Sequence, residues 1–107
     1  MTARTPVPPY YAVIFTSLRT PGEDGYDAMS GAMVELARAQ PGFLGLESAR
    51  DGVGITVSYW TDLDAIVAWK ADVRHLAAQK AGRERWYEDY RVRIARVERD
   101  YGMDRAG

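Results

Sequence analysis

The segment from Trp69 to His75, WKADVRH, holds the one histidine of the chain, six residues after an indole ring. An imidazole with an ordinary pKa of about 6.5 can take up and return a proton at neutral pH, as a general base must. An indole can cover one side of a flat aromatic substrate. We therefore predict His75 and Trp69 as catalytic residues. The structural alternative for His75 is a histidine hydrogen-bonded to backbone or to a carboxylate near a helix end.

Four further residues carry groups that suit a small substrate. Trp60 offers a second indole, and Arg74 can hold an anionic group. Ser17 and Ser58 offer hydroxyl groups that can orient a substrate hydroxyl. We predict these four as substrate-binding residues. Each has a structural alternative, because a tryptophan often fills a core, a strand serine bonds across the sheet and a helix arginine points into solvent.

The composition excludes several kinds of chemistry. No cysteine is present, which rules out thiolate catalysis, zinc–thiolate sites and iron–sulfur clusters. A metal site built from protein ligands alone usually needs three or four of them, and one histidine falls short of that. Haem needs a single axial histidine, so haem binding stays open. The phosphate-loop, dinucleotide and serine-hydrolase motifs are absent.

The charge pattern argues against two classes of partner. The 14 basic and 15 acidic residues leave a formal net charge of -1, so no bulk field attracts nucleic acid or a membrane. The run GITVSYW (54–60) lacks the aromatic and basic motif of RNA-binding domains with the same topology. No stretch has the length and apolar content of a signal peptide or a membrane span, and we predict a soluble cytoplasmic protein.

These candidate residues are positioned by strands and helices whose patterns are visible in the sequence. Residues 10–18 form a dense β-branched and aromatic run, which indicates a central strand covered on both faces. Apolar residues recur at three- and four-residue spacing over 26–40, which predicts a helix with Asp24 as its cap. The runs 43–49 and 54–60 flank an Asp-Gly turn and predict a hairpin.

The second helical region and the last strand both show a change of phase. Residues 61–64 have the pattern of a capping box that opens a helix. The apolar stripes before and after Asp72 are out of phase on one ideal helix, so we predict two short helices that meet just before His75. Residues 86–101 predict a long strand, with a β-bulge at 94–95 where the apolar alternation changes face.

The predicted order is β-α-β-β-α-β, the ferredoxin-like α+β arrangement, in which four antiparallel strands carry helices on one face. The first strand is apolar on both faces, so the face without helices needs a cover, and a second copy of the chain is the simplest one. We therefore predict a homodimer, and we expect a charge at Val13 or Phe15 to destabilise it. Residues 1–9 are predicted as a flexible arm, 10–101 as one domain and 102–107 as a tail.

Four segments resemble the antibiotic biosynthesis monooxygenase family: QPGFLGLESA (40–49), GITVSYW (54–60), the Trp69 to His75 segment and WYEDYRVRIARVERDYG (86–102). The resemblance spans about residues 10–101. It implies a dimeric α+β barrel, which means the ferredoxin-like fold, a homodimer and a pocket between sheet and helices. It also implies a monooxygenase that uses O2 to oxidise a small aromatic or quinol-like molecule without a bound metal or cofactor.

Two other functions remain open on these residues. The haem-degrading branch of the family is similar in using an asparagine on the first strand, with a tryptophan and a histidine in the second helical region. Trp69 and His75 match the last two, whereas the chain contains no asparagine and has Thr16 and Ser17 on its first strand. The other alternative is a dimer that binds a small molecule without catalysis.

Overall fold

The computed structural model of the chain describes residues 2–22, 26–79 and 86–104, including their side chains except those of 76–79. Its elements follow in the predicted order: β1 (Tyr10–Arg19), α1 (Tyr26–Arg38), β2 (Phe43–Asp51), β3 (Val53–Trp60), α2 (Leu63–Gln79) and β4 (Tyr87–Val97). The predicted helix cap Asp24 lies outside the described residues. The α+β arrangement β-α-β-β-α-β is confirmed.

Strand β1 lies inside an antiparallel sheet with the strand order β2-β3-β1-β4. Val13, for example, lies opposite Ser58 of β3 on one side and opposite Ile94 of β4 on the other. Both backbone edges of β1 are therefore hydrogen-bonded within the sheet, which suits a strand that lacks polar alternation. The predicted ferredoxin-like sheet is confirmed.

The helices pack on one face of the sheet, which we call the helix face; the opposite side is the open face. Val13 is only 4% exposed on the helix face, where it packs with Ala37 of α1 and Ile66 of α2. Because successive strand residues alternate between faces, Phe15 shares the helix face with Val13, and Ile14 belongs to the open face. The β1 strand thus has apolar side chains on both faces, as its sequence predicts.

The hairpin between β2 and β3 turns at Gly52. Its φ of 77° lies in the left-handed region that glycine adopts without steric cost. Asp51 and Val53 on either side of it lie opposite each other as the last paired residues of the two strands. The predicted Asp-Gly turn is confirmed.

Helix α2 begins at an aspartate cap. The Asp62 carboxylate accepts a hydrogen bond from the Ala65 backbone N–H at 2.8 Å, which satisfies one of the donors left free at a helix start. Asp64 adds negative charge in the first turn, where the helix dipole favours it. No helix among the described residues has both the length and the apolar character needed to cross a membrane.

The predicted break in α2 near Asp72 is wrong, because the helix is continuous from Leu63 to Gln79. Its inward side is one stripe at three- and four-residue spacing: Ile66, Trp69 and Val73. The sequence pattern suggested a phase change because it counted Leu63 and Val67 as core residues. In the structure these two side chains are 48% and 66% exposed. Without them the remaining apolar residues share one face of an unbroken helix.

The bulge predicted at residues 94–95 of β4 is also misplaced. The strand keeps a regular register with β1 through that region, and its irregularity lies at the other end, where Leu18 pairs with Asp89 but Arg19 pairs with Tyr87. Most of β4 is exposed on both sides, since it is an edge strand of this sheet. Burial therefore does not distinguish the apolar residues on one face of β4 from those on the other. Their alternation in the sequence does not indicate the strand register.

The segment that precedes β1 lies against one end of the open face. The backbone N–H of Ala3 donates to one carboxylate oxygen of Glu47 at 2.9 Å, and the hydroxyl of Tyr59 donates to the other oxygen at 2.6 Å. Arg4 forms an ion pair of 2.9 Å with Asp104 beyond β4. The division of the chain into a flexible arm, one domain and a tail stays a prediction.

We expect the attachment of this segment to weaken in acid. The hydrogen bonds from Tyr59 and then from Ala3 lower the pKa of Glu47 from its ordinary 4.5. A carboxyl group with a lowered pKa in the folded state stabilises the fold above its ordinary pKa, and this contribution disappears as the pH falls through the lowered value. Glu47→Gln should therefore cost about 1 kcal/mol or less at pH 7, because solvent screens the group, and less than that at pH 3.

Thermal unfolding of both proteins at the two pH values measures this difference. Glu35→Gln, on the exposed side of α1, is the matched control and should leave stability nearly unchanged at both. An equal effect of Glu47→Gln at pH 7 and pH 3 would contradict the expectation.

Candidate functional site

Two of the predicted substrate-binding residues form a pair inside the core. Trp60 is fully buried at the end of β3, and its indole N–H donates to the Ser58 hydroxyl at 2.9 Å. The ring of Phe43 meets Trp60 edge-on with centroids 5.3 Å apart. The Ser58 hydroxyl thus satisfies a buried indole donor, which would otherwise cost free energy in the core. Substrate contact by Trp60 and Ser58 stays a prediction.

Trp69 links the two helices at the edge of this core. Its ring lies 5.1 Å from that of Trp60, and its indole N–H donates to the backbone carbonyl of Met33 in α1 at 3.2 Å. Trp69 packs against the core around Val13, whereas Met33 packs against a second apolar cluster further along β1. The half-buried Trp69 therefore stands between the two clusters on the helix face.

The structure does not place His75 beside Trp69. Their separation of six positions along the chain corresponds to about 600° of helix rotation, which sets their side chains about 120° apart around α2. His75 and Arg74 are both exposed, while Trp69 faces the sheet. The roles predicted for His75 and Arg74 stay predictions.

The second cluster on the helix face is aromatic. Its buried members are Met29, Trp86 and Tyr87, and Phe15, Tyr26 and Met33 pack around them. The Phe15 and Tyr87 rings meet edge-on with centroids 5.4 Å apart, and Tyr87 meets Tyr26 in the same way at 5.8 Å. This aromatic cluster lies at the end of β1 that leads into Arg19. Charged and hydroxyl-bearing side chains adjoin it there and form its polar edge.

Arg50 crosses the sheet at this end and reaches Ser17. Its Nη2 donates to the Ser17 hydroxyl at 2.7 Å, and its Nη1 donates to the Ser17 carbonyl oxygen at 3.5 Å. The side chain passes over Gly54, where a Cβ atom would overlap the guanidinium group. The serine predicted to orient a substrate is therefore already bound to an arginine, and both are on the helix face.

Arg19 lies two residues beyond Ser17 on the same face of β1. Its guanidinium carbon is 3.7 Å from the centroid of the Tyr26 ring, a cation–π contact. Its Nη2 donates to the Gly22 carbonyl oxygen at 3.3 Å. Its Nε is buried and has no hydrogen-bond partner in the part of the chain that the structure describes.

Tyr87 is under the electrostatic influence of both arginines. Burial and then a hydrogen bond with Tyr26 raise the pKa of Tyr87, while the positive charges of Arg50 and Arg19 act in the opposite direction. These polar groups share one end of the helix face, and we call them the arginine cluster: Ser17, Arg19, Tyr26, Arg50 and Tyr87. Arg19 and Ser17 are two residues apart in one strand, so the sequence already indicates that they share a face of the sheet. The position of Arg50 on the same face depends on how the strands pair.

A cavity of about 200 Å³ lies on the other side of the sheet. It is lined by the segment before β1, by residues from β1 and β3 and by the segment after β4, including Thr5, Tyr10, Tyr59 and Asp100. The Tyr10 hydroxyl donates to the Asp100 carboxylate at 2.5 Å. This cavity is not the pocket between sheet and helices that the family resemblance implies, and that pocket stays a prediction.

The described residues do not form a metal site built from protein ligands alone. Among those that the structure describes, no group of three or more histidine, aspartate or glutamate side chains is placed to hold a metal ion. An axial haem histidine needs an apolar pocket on its ring side. Among the described neighbours of His75 along α2, Asp72 and Arg74 are exposed and charged and Val73 is half-buried, so the haem alternative stays a prediction.

The chain is similar to known proteins in both sequence and fold, although no family model matches it. It is 54% identical over 99 residues to the uncharacterised protein YqjZ of Bacillus subtilis, covering 91% of this chain and 87% of YqjZ. It is 35% identical over 49 residues to the jasmonate monooxygenase ABM of Pyricularia oryzae, covering 46% of this chain and only 23% of that protein.

Its fold matches the crystal structure of SnoaB, a cofactor-independent oxygenase of Streptomyces nogalater. The TM-score is 0.65 at 14% identity, over 90% of this chain and 98% of SnoaB. Low identity at high coverage shows a shared fold and leaves the activity open. The chain belongs to the same family as YqjZ, and its fold is that of antibiotic biosynthesis monooxygenases.

Proposed function

We propose that this protein is a small dimeric monooxygenase of the antibiotic biosynthesis type. It uses O2 to oxidise a small aromatic or quinol-like molecule without a bound metal. The observation that carries the proposal is a fold shared over nearly the whole chain with a cofactor-independent oxygenase. The aromatic character of the helix face, with Trp69 between two apolar clusters, supports it.

The chemistry requires an activated substrate. Removal of a proton from a phenol or hydroquinone leaves an electron-rich anion, which reduces O2 directly. One oxygen atom enters the substrate as a new carbon–oxygen bond. The other leaves as water, with its two electrons and two protons supplied by the same substrate. The protein binds and orients the ring, accepts a proton and stabilises negative charge.

Three side chains take part in this proposal. The half-buried ring of Trp69 provides a flat apolar contact on the helix face, backed by Trp60. His75 is the candidate base, because it is the one side chain of the sequence whose ordinary pKa is close to neutral. Because His75 is exposed on α2, the substrate atom that it deprotonates must lie at the solvent-facing edge of the helix face.

Dimer formation belongs to the same proposal. On the open face, Ile14 and Val57 lie opposite each other and are half-buried, while Leu18, Val53 and Ile55 remain 39%, 47% and 45% exposed. An apolar strip in the middle of a sheet is a usual surface for association, and a second copy offers the same strip. A cytoplasmic location, as the sequence predicts, is part of the same proposal.

Oxygen uptake with hydroquinone and anthrone substrates tests the function. His75→Ala should lower kcat by about a hundredfold or more, the usual contribution of a general base. Lys70→Ala is the matched control, since it removes another exposed polar side chain of α2. Both variants should remain folded and dimeric.

Two outcomes would count against the proposal. Unchanged oxygen uptake in His75→Ala would remove His75 as the base. Saturable binding of these compounds to the wild-type protein with no oxygen uptake for any of them would favour the non-catalytic binding dimer.

A further inference from the structure

We propose that the arginine cluster binds the carboxylate group of a small aromatic acid. The cluster lies at the end of the helix face where β1 leads into Arg19, and it combines two guanidinium groups with three hydroxyl groups. The inference deepens the proposed function, on which it rests for the position of the substrate. It names aromatic carboxylates as the substrate class. It assigns carboxylate binding to Arg19 and Arg50, which are separate from the predicted base, His75.

Neither arginine of the cluster has an acidic partner in the described parts of the chain. The ion pairs found there are Arg4 with Asp104 and Arg96 with Glu98, and both are exposed. The acidic residues nearest in the strand register, Asp51 and Asp89, belong to the row of Leu18 and therefore to the open face. Within the described residues, the two arginines at this end of the helix face thus have no acidic side chain paired with them.

The two guanidinium groups also hold unused donors. A guanidinium group carries five N–H donors, and Arg19 uses one of them on the Gly22 carbonyl while its buried Nε has no acceptor among the described residues. A buried donor without an acceptor is unfavourable, so a ligand that supplies an oxygen there gains affinity. Arg50 is exposed and directs its Nη atoms to Ser17, which leaves its Nε for another acceptor. A carboxylate offers two oxygens in a geometry that arginine matches.

An apolar strip adjoins the cluster and favours an aromatic acid over a small inorganic anion. Tyr90 lies opposite Ser17 in the sheet, and Val92 lies opposite Phe15, so both share the helix face with the cluster. Tyr90, Val92 and Ile94 are 40%, 47% and 50% exposed, although they are large apolar side chains. The Phe15 and Tyr90 rings are 5.7 Å apart and can contact a third ring.

The test is equilibrium binding to the full chain, measured by calorimetry with benzoate and with benzyl alcohol as its neutral counterpart. Benzoate should bind at least about tenfold more tightly, because hydrogen bonds to a charged group are stronger than those to a neutral one. Arg50→Gln and Arg19→Gln should each remove most of this preference. Arg93→Gln is the matched control, because Arg93 is an exposed arginine on the open face of β4.

A second variant tests the position of Arg50 without removing its charge. Gly54→Ala adds a Cβ atom where the guanidinium group now lies and should displace it from Ser17. The preference for benzoate should fall by about tenfold, as in Arg50→Gln. The exposed end of the Arg50 side chain can move into solvent, so the fold should persist.

The carboxylate site and the monooxygenase activity can be contradicted independently of each other. Equal affinity for benzoate and benzyl alcohol, or a preference that Arg50→Gln leaves intact, would overturn the arginine site even if oxygen uptake is observed. Oxygen uptake that is absent for every substrate, with the preference and its loss in the variants as expected, would overturn the monooxygenase and leave the carboxylate site standing. Inorganic phosphate that competes fully with benzoate at equal concentration would show a general anion site and contradict the aromatic acid.

Discussion

Replacement of Trp60 by alanine should lower the free energy of unfolding by about 3–5 kcal/mol, the usual cost of removing a buried tryptophan side chain. Trp60 has no exposed surface, and its ring contacts those of Phe43 and Trp69 at centroid distances of 5.3 and 5.1 Å. The change would leave a cavity between sheet and helices and would also leave the Ser58 hydroxyl without its indole donor. A domain of this size has only about 5–15 kcal/mol to lose.

Urea unfolding monitored by circular dichroism measures this loss. Trp60→Phe should give a smaller loss than Trp60→Ala, because a phenyl ring refills part of the cavity. Leu63→Ala is the control on the outer side of α2, where the side chain is 48% exposed, and it should change stability by about 0.5 kcal/mol or less. A loss below about 1 kcal/mol for Trp60→Ala would show that Trp60 does not hold the core together.

Ile14→Glu should convert the dimer into folded monomers. Ile14 lies at the centre of the open face, opposite Val57 of β3 and Arg93 of β4, on the apolar strip that the second copy is proposed to cover. A carboxylate in an apolar interface loses its hydration, and the Arg93 guanidinium opposite it offsets only part of that cost, so the dissociation constant should rise by about tenfold or more. Fold and helix content should be retained, because the side chain does not face the helices.

Sedimentation velocity at micromolar concentration distinguishes dimer from monomer. Val67→Glu places the same charge on the exposed outer side of α2 and should leave the dimer intact. A wild-type protein that sediments as a monomer, or an Ile14→Glu variant that remains dimeric, would contradict the proposed interface. The structure also changes which positions test the interface, because the sequence favoured Val13 and Phe15. Val13 packs beneath both helices, so a charge there should unfold the chain before it could report on assembly.

The local patterns of the sequence predicted the secondary structure well where one interaction dominates. The run at 10–18 matches β1, the periodic stretch at 26–40 contains α1, and the Asp-Gly turn is where φ becomes positive at Gly52. Each of these depends on burial periodicity or on the backbone freedom of a single residue. The same approach failed for α2 and β4, where large apolar residues remain exposed and no longer indicate which side faces the core.

The same contrast between local sequence patterns and tertiary structure applies to the candidate site. Trp69 lies on the helix face, but the spacing to His75 turns the side chains of these two predicted catalytic residues to different sides of α2. Arg50 was not recognised, because its approach to Ser17 depends on the pairing of β2 with β3 and of β3 with β1. Gly54 lies opposite both residues and has no side chain, so Arg50 can cross it.

The amino-acid sequence by itself determined the order of the elements, the two-sided apolar character of β1 and the exclusion of cysteine chemistry, because these depend on residue types and on spacing within short segments. Only the tertiary structure decided which side of β1 lies under the helices, how Trp60 and Ser58 satisfy each other, and that Arg50 reaches Ser17 at the same end of the helix face as Arg19. The physical reason is strand register, which brings distant residues together, and a shift by one residue would move every side chain to the opposite face.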